Sequence, residues 1–491
     1  LKVIVVGSGF GGLAAAALLA QKGAQVKVFE KNEMPGGRAS VHSDKGYTFD
    51  MGPSWYLMPD IFEDFFSRFG KTPEDFFELK QLDPSYRIYF GEKGSVDIRK
   101  DIDENYRLFD SFEENGSQKL KAYLESAEEK YNLAINELLY KDYQSLGDMF
   151  DRRLLKEGRK LKILQDMESF VSKFFSSQEA RRVVQYSIGF LGGAPGNTPA
   201  FYHMMSHIDI TMGVFYPEGG MRKLADSIYR LAMEHGAEFA FNEPVEEVLF
   251  DDGKAVGVRT PSGVQEADLV IMNADYAHSE LDLVPEDLRT YSQKYWDKRV
   301  LAPSAMVAYV GVNKKFDAFD HHTLFLDDDW EHGFDKLFNP KKADWPDNPS
   351  YYVNVPSRTD STAAPEGCDT LFILIPLAPG IEDTPERREI FLEKILDDLA
   401  VKIGEDIRPY IETKRIFALD DFSDRYNALR GTSLGLAHTL RQTAVWRPAH
   451  RSKKAGNLYY TGAYTHPGIG VPMVIIASIV VAGMIEEEHG L

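Results

Sequence analysis

Val3-Ile4-Val5-Val6 runs without a break into Gly7-Ser8-Gly9-Phe10-Gly11-Gly12, and then into Leu13 and an Ala- and Leu-rich stretch over 14–20. A continuous β-branched run marks a strand buried on both faces, as in parallel sheets. Gly7, Gly9 and Gly12 fit G-x-G-x-x-G. The first glycine allows the tight turn, the second lets a pyrophosphate approach the backbone, and the third lets helix pack on strand. The helix then presents its free N–H groups and positive dipole end to phosphates. A second strand, 25–29, ends at Glu30, at the spacing of a carboxylate that accepts hydrogen bonds from ribose hydroxyls. The pattern reads as a dinucleotide site built from Gly7, Ser8, Gly9, Phe10, Gly11, Gly12, Glu30 and Lys31.

At 491 residues the chain exceeds one compact core, so two or three lobes are expected. Its 76 acidic and 56 basic residues leave a formal charge of −20, which argues against nucleic acid as a partner, since phosphate backbones call for clustered Lys and Arg. The single cysteine, Cys368, cannot form an intramolecular disulfide, and a multi-thiolate metal site is excluded. No H-E-x-x-H pair occurs and no metal is expected. His321-His322, in a Phe- and Asp-rich stretch, reads as a surface turn. The opening residues show no charged leader or cleavage site. The late apolar stretch 471–485 is shorter than the roughly 20 residues of a spanning helix. The expectation is therefore a cytoplasmic protein whose membrane contact, if any, is peripheral.

Further motifs narrow the cofactor. Pro35-Gly36-Gly37-Arg38 follows the ribose acid, and 46–55 reads Gly-Tyr-Thr-Phe-Asp-Met-Gly-Pro-Ser-Trp. Arg38 can neutralise a phosphate or stack on a ring system. Near the other end a strand over 457–461 leads into Gly462-Ala463-Tyr464-Thr465-His466-Pro467-Gly468-Ile469-Gly470-Val471-Pro472 and an apolar helix. Pro472 suits a first-turn position, and that helix N-terminus could hold a negatively polarised group. Together these segments resemble the amine-oxidase-like flavoprotein superfamily and, more narrowly, the phytoene-desaturase-type carotenoid desaturases. The resemblance runs through Phe215-Tyr216-Pro217-Glu218-Gly219-Gly220-Met221, Ala364-Pro365-Glu366-Gly367-Cys368, Asp421-Phe422, Tyr426-Asn427 and Trp446-Arg447-Pro448, nearly the whole chain. It inclines to the 1-hydroxycarotenoid 3,4-desaturase branch, with a multistep phytoene desaturase as the alternative, since no single motif decides between them.

The resemblance implies FAD, held additionally by Gly37, Arg38, Gly52, Pro53, Ser54, Trp55, Val245, Asn273, Asp275, Gly462, Ala463, Pro472, Met473 and Val474. Val245 stands where the superfamily offers backbone contacts to the adenine. It also implies a hydride passed from the substrate to the flavin and a hydrophobic polyene collected from lipid; the terminal acceptor, oxygen or a membrane quinone, is left open by the sequence. His466, which otherwise only shapes its turn, is the candidate proton acceptor beside the flavin helix; Asp148, Arg152 and Arg153 are the candidate polar groups at the tunnel mouth, with a surface ion pair as their plainer reading. Two alternatives remain open here. An amine oxidase would show an aromatic cage beside the flavin, and a carotenoid carrier would bind flavin without turnover.

The expected fold is α/β. A discontinuous Rossmann-type FAD-binding domain would come from 1–70, 216–290 and 445–491, with a hairpin over 238–260. A sheet-based substrate domain over 291–444 would contain strands at 305–312 and 370–376. A mostly helical lobe over 71–215 would face the membrane. The basic run 152–162, followed by Met167, Phe170, Val171, Phe174 and Phe175, fits an anionic bilayer surface or a solvated helix face. The stripe Phe62, Phe65, Phe66 and Phe69 reads as core.

Overall fold

The structure is a computed structural model that describes residues 1–91, 94–143, 165–327, 330–339, 341–439 and 441–491. Five parallel strands lie in the order Leu458–Tyr460, Leu269–Met272, Lys2–Val6, Gln25–Phe29, Glu238–Ala240. Val3 and Val5 face three helices, Phe10–Gln21, Met221–Glu234 and Val471–His489. Ile4 and Val6 face the opposite layer, with Val248, Val258 and Trp296. Burial on both faces is why the opening strand is apolar at every position from Val3 to Val6. Every residue from Phe10 to Ala20 is buried, and the run of alanines lets the two flanking helices close on that helix. The last helix is part of this core, and among the described residues no helix is long and apolar enough to cross a membrane.

A second sheet has seven strands, in the order Ile411–Phe417, Ser304–Val312, Asp369–Leu377, Tyr351–Asn354, His322–Leu326, Tyr86–Phe90, Ser95–Ile98. Its pairs are antiparallel except where His322–Leu326 runs parallel to Tyr86–Phe90. Side chains alternate along each strand. Met306, Ala308, Val310, Ile373 and Ile375 pack under the helix Pro385–Ile403, through Leu392, Ile395, Leu396 and Leu399. Ala305, Val307, Leu324, Leu326, Tyr352 and Phe372 point the other way, and all six line the cavity described below.

Three expectations change. The described part of the region 71–215 is mostly helical as expected, and in addition Tyr86, Ile88 and Phe90 alternate with half-buried neighbours and supply a strand to the larger sheet. The hairpin starts later than expected: Glu238–Ala240 joins the parallel sheet, and the turn at Asp252-Gly253 links Glu247–Asp251 to Lys254–Thr260. His321 and His322 are not a surface turn, being 4% and 0% exposed. His322 begins a strand, stacks on Trp55 at 4.0 Å, and has its Nδ1 2.6 Å from the Tyr352 hydroxyl. Burial holds His321 down at about 3 and His322 well below its usual range, so both are neutral. Finally, Met167, Phe170, Val171 and Phe175 are buried against Phe109 and Tyr123, leaving those side chains unavailable to a bilayer. The basic run 152–162 lies outside the described residues. The phenylalanine stripe is core at Phe62, Phe65 and Phe66, with Phe69 partly buried.

Candidate active site

The glycine loop leaves its strand through Gly7, whose φ of +94° favours glycine and whose N–H donates to the Phe29 carbonyl at 2.8 Å. At Gly12 an added Cβ would stand 2.0 Å from the Gly7 carbonyl oxygen, so helix and loop touch as the motif requires. Asn273 Nδ2 braces the loop by donating to that same carbonyl at 3.1 Å. Glu30 is 5% exposed. One of its oxygens accepts from the Ser8 amide and hydroxyl at 2.8 and 2.9 Å, and the other from the Asn32 amide and side chain, each at 2.9 Å. A carboxylate offers about four lone-pair positions, so a ribose bound at Glu30 would displace one of these donors. Lys31 Nζ reaches across to the Asp424 carbonyl and Asn427 Oδ1 at 2.7 and 2.8 Å, and burial lowers its pKa.

Arg38 carries the clearest sign of an anionic ligand. Its Nε and Nη2 are buried without a hydrogen bond among the described residues, and its guanidinium lies 5.4 Å from the Tyr426 ring. Buried, unfilled donors on a guanidinium call for an anion. Arg38, Gly9, Gly37, Gly52, Val245, Asn273, Gly462, Ala463 and Val471–Val474 all line one cavity of about 1430 Å³. Glycine loop, arginine and helix N-terminus together suit the pyrophosphate and ring system of a dinucleotide. Asp275, on the same wall, caps a short helix by accepting from the Ala277 and His278 amides, and also accepts from the Tyr464 hydroxyl at 2.7 Å. Burial raises its pKa.

The loop 463–465 is held from behind by Arg447, which is 4% exposed. Its guanidinium donates to five carbonyls, those of Tyr464, Thr465, Gln442, Leu436 and Ala463. Among the described residues no carboxylate pairs with it. Burial pulls it down to about 10, which still leaves it charged at neutral pH. The motif around Arg447 is visible in the sequence, but no periodicity marks an arginine destined for the interior. His466 lines the cavity with Nε2 3.0 Å from the Leu138 carbonyl and its ring edge-on to Tyr143. Burial lowers its pKa to about 3, a poor match for holding a proton at neutral pH. Asp148, Arg152 and Arg153 lie outside the described residues.

The same cavity continues over the larger sheet. Ala305, Val307, Leu324, Leu326, Phe372 and Leu374 form an apolar floor that joins the glycine cradle without a partition. Trp55, immediately after Gly52-Pro53-Ser54, sits among Tyr86, Tyr186, His322 and Tyr352. These rings are packed on one another, with His322 flat against Trp55, and are not a pair held apart as a cage. Sequence reading missed Tyr186, Tyr352 and the buried Asp209 that accepts from Tyr186. They come from distant segments, and no local pattern joins them.

A parallel sheet with a glycine-loop cradle, sharing one cavity with an apolar sheet floor, has the make-up of a dinucleotide-dependent oxidoreductase. The chain belongs to the flavin-containing amine oxidoreductase family, whose pattern matches residues 10–485. Its cofactor is FAD, the flavin that carries the pyrophosphate such a loop binds. It is 44% identical over 476 residues to the carotenoid 3,4-desaturase of Haloarcula japonica, covering 97% of this chain and 96% of that protein. It is 32% identical to the zeta-carotene-forming phytoene desaturase of Myxococcus xanthus, over 97% of this chain and 92% of the relative. A crystal structure of an oxidoreductase from Methanosarcina mazei matches the fold, with a TM-score of 0.64 and 18% identity over 98% of this chain and 100% of that one.

Proposed function

We propose that this chain is an FAD-dependent carotenoid desaturase that introduces a conjugated double bond by 3,4-desaturation of an acyclic 1-hydroxycarotenoid. The observation that carries the reading is the single cavity running from the glycine cradle to the apolar sheet floor. The 44% identity to a carotenoid 3,4-desaturase supports the position of the new bond. When bound, FAD accepts a hydride from the substrate. Gly7–Gly12, Arg38, Gly52, Asn273 and Val471–Val474 would hold it, the sheet floor would orient the polyene, and the apolar walls would exclude water. The packed rings around Trp55 favour this over an amine oxidase, which needs an open cage.

The substrate is insoluble in water, so the enzyme would collect it from a lipid surface as a peripheral, cytoplasmic protein. Trp446 supports this reading, being 44% exposed and on the cavity wall, the position of an interfacial tryptophan. Oxygen or a membrane quinone would reoxidise the flavin. The test is anaerobic incubation of FAD-loaded enzyme in liposomes with a 1-hydroxylated carotene and, separately, with phytoene. Flavin bleaching and a red-shifted polyene with the hydroxylated substrate alone is the expected result. Multistep conversion of phytoene would make it a general desaturase, and bleaching by neither would return the amine-oxidase reading.

A substitution on the floor separates cofactor from substrate binding. Val307→Trp fills the chamber beside Leu374, its register partner, and leaves the glycine cradle untouched. Bound FAD per protein should stay unchanged while desaturation falls by at least about tenfold, the cost of blocking a shaped apolar site. Undiminished turnover would place the polyene elsewhere.

A further inference from the structure

Desaturation removes a hydride from one carbon and a proton from its neighbour, whose C–H electron pair becomes the new π bond. Bound FAD would supply the hydride acceptor, which leaves the proton to be received by a group of the protein. Asp209 is 2% exposed, in a π-helical segment, His207–Met212. One carboxylate oxygen accepts from the Tyr186 hydroxyl at 2.8 Å and from the Tyr86 hydroxyl at 3.3 Å. The other is buried without a hydrogen bond among the described residues, and no described cation pairs with the group. Tyr186 itself lines the cavity, its ring 6.2 Å from that of Trp55, which adjoins the Gly52-Pro53 segment of the cradle. A carboxylate placed in the interior without a cation costs stability unless paired, and here it accepts from the hydroxyl of Tyr186, a residue of the cavity wall.

We propose that Tyr186 and Asp209 form the proton acceptor of the reaction, an inference that rests on the desaturase reading. The Tyr186 oxygen takes the proton from the substrate carbon while the Tyr186 hydroxyl proton passes to Asp209. Phenol and carboxyl are both neutral afterwards, so charge and protons balance with the hydride on the flavin. Loss of the hydride from the carbon next to the polyene leaves an electron-deficient centre that makes the C–H on the adjacent carbon strongly acidic, so a phenol backed by a carboxylate is base enough. Burial raises the Asp209 carboxyl to about 7, against its two tyrosine hydrogen bonds, which puts it near the operating pH. The titratable groups facing it are Tyr86 on its strand, Tyr186, and Tyr123 on the helix Gly116–Leu133, all raised by burial and by the Asp209 charge. His207, on the same segment, packs instead on Tyr131. Only the ionised carboxylate can accept, so the rate of flavin reduction should rise with pH through about 7 and level off above it.

The test uses FAD-loaded enzyme in liposomes with the hydroxylated carotene, followed anaerobically by rapid mixing. Tyr186→Phe and Asp209→Asn should each slow flavin reduction by about a hundredfold or more, the usual contribution of a positioned acid–base group. FAD content and the spectral shift of bound polyene should be unchanged, and the pH rise should vanish in Asp209→Asn. Infrared titration of the enzyme without substrate gives a second readout. A protonated-carboxyl band should grow in as pH falls through about 7 in the wild type and be missing in Asp209→Asn. Wild-type rates in Tyr186→Phe, which loses only a hydroxyl and decides the matter if Asp209→Asn does not fold, would overturn the assignment. So would an Asp209→Asn variant that keeps the pH profile. Absence of reduction in the wild type with any polyene would instead overturn the desaturase reading, and the acceptor with it.

Discussion

Gly12→Ala is expected to give protein that carries no flavin. The new methyl would lie 2.0 Å from the Gly7 carbonyl oxygen and 3.0 Å from Asn273 Nδ2, so it has nowhere to go without moving the loop. Neither neighbour yields easily. The Gly7 carbonyl belongs to a turn whose amide is tied to Phe29, and the Asn273 side chain is tied to that carbonyl. The helix cannot retreat, because both flanking helices pack against it. Overpacking of this kind costs about 1–3 kcal/mol when side chains can adjust, and more is expected against backbone. The strain falls on the amides that must point at the pyrophosphate, so cofactor binding is lost before the fold is. Flavin absorbance per mole of purified protein, set beside the far-ultraviolet circular dichroism spectrum, checks this. A Gly12→Ala protein with full flavin would mean that the loop does not hold the pyrophosphate.

The parts of this molecule that sequence alone discloses are those whose chemistry is local. Val3–Val6, the glycines and Glu30 sit within one strand–helix–strand unit, where each residue type answers to a turn, a close approach or a buried face. The sheet floor was half visible for the same reason: Ala305–Val312 and Thr370–Pro376 alternate or run apolar as strands do. What stayed hidden is assembled across the chain. Asp50 caps the helix Met221–Glu234 by accepting from the amides of Met221 and Arg222, a partnership no spacing announces. Tyr86, Tyr186 and Asp209 meet because a strand from the mostly helical region docks on the larger sheet. His321-His322 misled for a related reason. Histidine and flanking aspartates look solvent-facing until Trp55, from the cradle, stacks on His322 and Tyr216 packs on His321. Glu30 shows a different limit: its position was predictable, but not that Ser8 and Asn32 would already fill its oxygens.

Arg447→Met should release the loop 463–465 and with it the far wall of the flavin site. Five carbonyl oxygens share this one guanidinium, three of them from consecutive residues of that loop. Each buried acceptor left unsatisfied costs about 1–3 kcal/mol, and the five will not add independently, since the loop can relax once free. A net loss of about 3–5 kcal/mol is the scale set by breaking comparable buried charge networks. Arg447→Lys separates charge from geometry. An ammonium has three donors and no planar fork, so it keeps the positive charge but can satisfy at most three of the five oxygens. The expected order of thermal midpoint and of FAD retained through gel filtration is wild type, then Arg447→Lys, then Arg447→Met. If the lysine variant matched the wild type in both, charge alone would suffice and the forked geometry would be incidental. If the methionine variant matched it, the loop would be held by Tyr464 and Asp275 rather than by the guanidinium.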